Sequence, residues 1–215
     1  MNKTIYFLSG LGADERVFQY LELPNYTLKH IQWIEPTAFQ ESMEDYAKRL
    51  LEQIEGENPI LLGLSFGGMM AMEIAKQIPT SKIILISSAK TKYEVPFYYR
   101  WLGKLRINRI LPISILMNVN IITYWFFDMK TKSEKDLLKA IVKDSSKNFY
   151  AWAVDKILHW KNTTIHQNLK HIHGTTDRIL PLKFIKVDKK IEKGGHLMTL
   201  NKSKEISKEI LDFLQ

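Results

Sequence analysis

The chain has 215 residues, with 31 Lys and Arg against 23 Asp and Glu for a formal net charge of +8, and it holds no Cys. That length supports one α/β domain with a sizeable core and an insertion, and falls short of two full domains. The lack of Cys excludes a disulfide framework, a Cys nucleophile and Cys-ligated metal, leaving metal chemistry to the six His.

The basic residues are scattered through expected helices and turns without a nucleic-acid module, so they read as a solvated surface and not as a nucleic-acid interface. Residue 4 enters the apolar run 5–8 at once, without the length or cleavage site of a signal peptide, which sets a cytoplasmic expectation.

Residues 4–8 read as a first strand, followed by a helical segment at 14–21. A strand at 27–33 and a helix at 41–55 come next, then a strand at 59–64 and a helix at 66–78. In that helix Met69, Met72, Ile74, Ala75 and Ile78 keep helical spacing, and Pro79 ends it. Residues 81–87 form a fourth strand, after which the rhythm stops until a fifth at 168–174. A sixth at 184–191 carries Lys186, Lys189 and Lys190, which suit a guarded sheet edge. A helix at 202–214 closes the chain. Such alternation predicts an α/β fold, a six-stranded, mostly parallel sheet with helices on both faces.

Residues 90–161 show no clear strand and concentrate aromatic side chains, with helices expected at 132–142 and 149–159. Any single ring suits core packing as well as substrate contact. Together they suit a helical cap or lid over an apolar pocket, inserted into a core of residues 1–89 and 162–215, with Trp101, Trp125, Phe126 and Trp152 as pocket candidates. The uncharged stretch 111–127 contains Pro112, Ser114, Asn118, Asn120 and Thr123 and is marginal in length for a membrane span. It reads as a buried or lid element, with no stable membrane insertion.

Gly63-Leu64-Ser65-Phe66-Gly67 stands directly behind the third apolar run. A serine displayed on a sharp strand-to-helix turn needs neighbours without side chains, and Gly63 and Gly67 meet that need. The helix that follows turns free N–H groups toward the serine, with Phe66 as one donor to developing negative charge. The loop Ser9-Gly10-Leu11-Gly12 offers a second donor at Leu11. A dinucleotide reading of this loop fails for want of a third glycine at Glu15.

A serine hydroxyl needs a base, and the base needs an orienting carboxylate. His196 lies in Glu192-Lys193-Gly194-Gly195-His196-Leu197, a glycine-rich loop between the last strand and the last helix. His171 and His173 flank a strand, and His159 and His166 sit in or beside the insertion. Asp177 sits in the turn His173-Gly174-Thr175-Thr176-Asp177, at a strand end where catalytic groups collect. Asp188, in the edge strand, and Glu94, at the start of the insertion, are the competing acids.

Together these segments resemble the α/β-hydrolase fold superfamily, in its small single-domain bacterial serine hydrolases. The resemblance covers nearly all of the chain outside the insertion. It implies Ser65 as nucleophile, Asp177 as acid and His196 as base, in that chain order, with Leu11 and Phe66 as oxyanion donors. Two features depart from it: Ser9 stands where many members have His, and the two opening antiparallel strands of larger relatives are missing. The resemblance implies hydrolysis of a carboxylic ester or related small acyl compound without a cofactor or metal. Thioesters, amides and acyl transfer use the same triad, and a non-catalytic binding protein on the same fold is the contrasting class. Oligomeric state is left open.

Overall fold

The computed structural model describes residues 3–106 and 112–215. A six-stranded sheet runs in the order β2-β1-β3-β4-β5-β6, and every pairing is parallel. Its strands are β1 (Lys3–Leu8), β2 (Tyr26–His30), β3 (Ile60–Leu64), β4 (Lys82–Ile86), β5 (Leu169–Gly174) and β6 (Lys189–Ile191).

The central strands bury both faces, and their alternation sorts the core into two layers. Ile5, Phe7, Ile60, Leu62, Ile84 and Ile86 join one apolar cluster, capped by Ile206 and Ile210 of the closing helix α8 (Ser203–Leu214). Tyr6, Leu8, Leu61, Ile83 and Leu85 join the other, covered by α1 (Met43–Leu50) and α2 (Phe66–Ala75).

Several boundaries differ from the sequence expectation. The segment at 14–21 forms only a single 3-10 turn, Glu15–Phe18, started by Asp14, whose carboxylate accepts from the Arg16 N–H. The helix at 41–55 ends at Leu50 and passes into a 3-10 turn. The sixth strand is three residues long, because Leu182–Phe184 turns as a 3-10 helix; Lys186 therefore precedes the edge.

Between β4 and β5 come α3 (Phe97–Lys104), α4 (Ile113–Leu116), α5 (Ile121–Phe127), α6 (Lys132–Asp144) and α7 (Lys147–Leu158). Side-chain caps start the last three: Asn120, Thr131 and Ser146 each accept from backbone N–H groups of the first turn. Leu138, Ile141 and Val142 of α6 join the first core layer, while Phe149, Trp152 and Ala153 of α7 join the second. Within the stretch 111–127, Leu111 lies outside the described residues. The rest is not buried as a unit, since Ile115, Ile121, Ile122 and Trp125 are exposed. Among the described residues no helix is long and apolar enough to cross a membrane.

Candidate active site

Ser65 ends β3 and caps α2 with φ 53° and ψ −118°, a left-handed region costly for a residue with a side chain. Hydrogen bonds at its backbone hold it there, among them one from the Met69 N–H to its carbonyl at 3.3 Å. Its N–H donates to the Ile86 carbonyl at 2.9 Å, and its own carbonyl accepts from the Ser88 hydroxyl at 2.6 Å and from the Gly68 N–H at 3.0 Å. A Cβ at Gly67 would collide with the carbonyls of Leu8 and Ser9, so the glycine brings the end of β1 against the turn. Gly10 lies so close that an added Cβ would stand 3.6 Å from that of Ser65. Leu11 and Ser65 line the same cavity, while the ring of Phe66 is buried among Trp33, Phe149 and Trp152.

The structure brings Ser65, His196 and Asp177 into one hydrogen-bonded chain. His196 Nε2 stands 2.8 Å from Ser65 Oγ, and His196 Nδ1 stands 2.8 Å from Asp177 Oδ2. Because a carboxylate only accepts, neutral His196 carries its proton on Nδ1 and leaves Nε2 free to accept from the serine. The edge of the Phe127 ring packs against the imidazole at 5.6 Å between centroids.

Asp177 is 4% exposed. Its Oδ1 accepts from the N–H groups of Ile179 and Leu180, both at 2.9 Å. Burial opposes its charge. The positive field of His196 and hydrogen bonds from His173 and His196 outweigh that and hold the carboxyl well below the usual range.

The competing residues lie elsewhere. Glu94 is buried and accepts from the backbone N–H groups of Lys90 and Lys186. Asp188 sits just before β6, not within it, and accepts from the His171 N–H at 2.8 Å. His171 and His173 do not flank β5 but lie inside it, fully buried. His159 bonds the carbonyls of Asp155 and Gly103, and His166 accepts from the Asn168 N–H. Among the described residues no group of three His, Asp or Glu side chains is placed to hold a metal ion.

A cavity of about 360 Å³ opens beside Ser65 and His196. Among the described residues its lining carries no carboxylate, ammonium or guanidinium group, and His196 is the sole titratable group there besides two phenols. Burial pushes the Tyr99 hydroxyl up to about 12 and raises that of Tyr150, so both stay neutral. Of the four expected pocket aromatics only Phe126 lines this cavity. Trp152 is fully buried in the second core layer, with its Nε1–H donating to the Glu41 carbonyl. Trp101 and Trp125 are 64% and 57% exposed and do not line it. Besides the rings of Tyr99, Phe126, Phe127 and Tyr150, the walls come from aliphatic side chains such as Val119, Ile141, Val142 and Ile179, which leave no aromatic signal in the sequence.

Solved structures share this architecture along nearly the whole chain. An esterase from Thermogutta terrifontis superposes with a TM-score of 0.70 at 15% identity, over 99% of this chain and 89% of its own. A hydrolase from Pseudomonas aeruginosa gives 0.75 at 12% identity, over 99% and 90%. A bromoperoxidase from Bacillus anthracis gives 0.68 at 16% identity, over 100% and 92%. The chain has the α/β-hydrolase fold. No protein-family model matches its sequence, and no curated protein matches it either. In this α/β-hydrolase fold chain the serine, acid and histidine candidates follow β3, β5 and β6, so all three gather at the C-terminal edge of the sheet.

Proposed function

We propose that the protein is a serine hydrolase that cleaves carboxylic esters of neutral, apolar acyl groups. The observation that carries this reading is the pair of 2.8 Å hydrogen bonds linking Ser65 to His196 and His196 to Asp177. The esterase and hydrolase names among the structures of the same fold agree with it.

In this scheme His196 Nε2 takes the Ser65 proton as Oγ attacks the ester carbonyl. The oxyanion is met by the backbone N–H groups of Phe66, at the start of α2, and Leu11, each worth about 3 kcal/mol of transition-state stabilisation. His196 then returns the proton to the departing alcohol, leaving an acyl group on Ser65. Water repeats the sequence, with His196 again as base, and frees the acid. Asp177 keeps the proton of neutral His196 on Nδ1 and stabilises the imidazolium in between.

The lining among the described residues, free of charged groups, supports a neutral acyl group over a charged one, since an ion against it would lose its hydration without a partner. The segment 90–161 acts as the cap over this cavity. A fluorophosphonate probe tests the reading: it should label folded wild type at Ser65 and spare Ser65→Ala. Folded wild-type protein that stays unlabelled, and that hydrolyses no member of an ester panel of graded acyl length, would refute it.

A further inference from the structure

Thirteen large apolar side chains are exposed among the described residues, and ten of them fall between Tyr93 and Phe126. Single exposed hydrophobic residues are ordinary, but such a concentration marks a surface that something covers.

Its pattern is helical. Phe97, Trp101 and Leu105 follow one another at four-residue spacing along α3 and its C-cap, and Ile121, Ile122 and Trp125 face outward on α5. Both helices frame the cavity beside Ser65. Tyr99 of α3 lines it, and Ile122 and Phe126 of α5 line it while also facing solvent. Each helix thus carries exposed apolar side chains outward and sends at least one residue to the pocket.

The exposed charge around it is mainly positive, since Asp128, the C-cap of α5, is largely buried and paired with Arg178 and Lys130. Between Lys90 and Phe127 the only acid in the sequence is Glu94, which is buried and occupied by backbone N–H groups. Lys104 and Arg106 are exposed at the end of α3, and Lys132 is exposed after α5, while Lys130 is paired with Asp128. A second copy of the chain would bring a like-charged face against this one. An acidic lipid surface instead supplies opposite charge at the level of Lys and Arg, and hydrocarbon for Trp, Phe and Ile.

We propose that the face formed by α3 and α5 docks on an anionic lipid surface, peripherally and without a membrane span. The proposal is independent of the ester-hydrolysis reading. It gives an apolar ligand a path from lipid to cavity.

Flotation with phosphatidylglycerol vesicles and, separately, phosphatidylcholine vesicles tests it, with Ser65→Ala as a second protein expected to bind as wild type does. Wild type should float with the anionic vesicles, bind the neutral ones at least tenfold more weakly, and be released by about 1 M salt, where charge interactions reach only about 3 Å. Trp101→Ser with Ile121→Ser should weaken anionic binding at least tenfold, since each loses an apolar contact with hydrocarbon. Lys104→Gln and Arg106→Asn should each weaken it about fivefold. Asn suits position 106 because that residue has φ 53°. All four positions are exposed, so melting temperatures should not change, and circular dichroism confirms folding.

No flotation with either lipid, equal binding to both, or unchanged binding by the Trp101 and Ile121 variant would each overturn the proposal. So would sedimentation showing a dimer that the same variant dissolves while vesicles stay unbound, because the face would then belong to a second copy.

Discussion

His173 Nε2 stands 3.3 Å from Asp177 Oδ2 while donating to the Leu180 carbonyl at 2.8 Å. The ring thus braces both ends of the turn that presents the acid. His173→Phe leaves a buried carbonyl unpaired, which costs about 1–3 kcal/mol. Urea denaturation should show that loss, and kcat for an ester should fall by more than KM rises, because Asp177 is less firmly placed.

The three carboxylates weighed from the sequence separate by function. Asp177→Asn should lower kcat by about four orders of magnitude, by favouring the wrong imidazole tautomer, with folding retained. Glu94→Gln and Asp188→Asn should keep kcat within about tenfold and show their effect in denaturation, since each carboxylate serves backbone N–H groups. Steady-state kinetics on the three variants decides between them.

Stability should fall toward acid in two stages. Burial, followed by the positive fields of His173 and Lys90, depresses the His171 pKa well below its ordinary value. The unfolded chain therefore takes up a proton near pH 6.5 that the folded one refuses, and stability declines below that pH by about 1.4 kcal/mol per unit. His171→Leu should reduce the slope of this limb of a urea midpoint against pH profile, leaving the share of His30, whose pKa burial also depresses. Asp177 also has a depressed folded pKa, so its contribution is complete above about pH 4 and fades as pH falls through the folded value. Asp177→Asn should reduce the slope of only this more acidic limb, to which the depressed carboxyls of Asp14 and Glu134 also contribute.

Trp152 and Val142 should behave oppositely. Trp152→Ala removes a fully buried ring and should destabilise by about 3–5 kcal/mol. Val142→Phe narrows the cavity and should reduce kcat/KM for long acyl esters about fourfold per methylene displaced, while an acetyl ester is spared. Melting curves and an acyl-length series separate the two effects.

The parallel sheet was legible because its strands are short continuous apolar runs with both faces buried, and the Ser65 turn was legible because its backbone excludes side chains at Gly63 and Gly67. The geometry of Asp177 and His196 agrees with their strand-end positions. Ser88 and His173 were missed, since a serine that bonds the Ser65 carbonyl and a histidine inside β5 carry no local pattern. The pocket was misjudged for a related reason. Aromatic composition says where rings are frequent but not which way a helix turns them, so Trp152 went into the core and Trp101 and Trp125 outward.

The hydrogen bond between Ser65 and His196 joins residues 131 apart in the chain. A nascent or partly folded molecule displays its serine turn long before the histidine loop exists to withdraw the proton. Under the proposed mechanism, chemical reactivity at Ser65 would report on assembly: it would switch on only once the loop after β6 is in place, and a covalent serine probe would time that event.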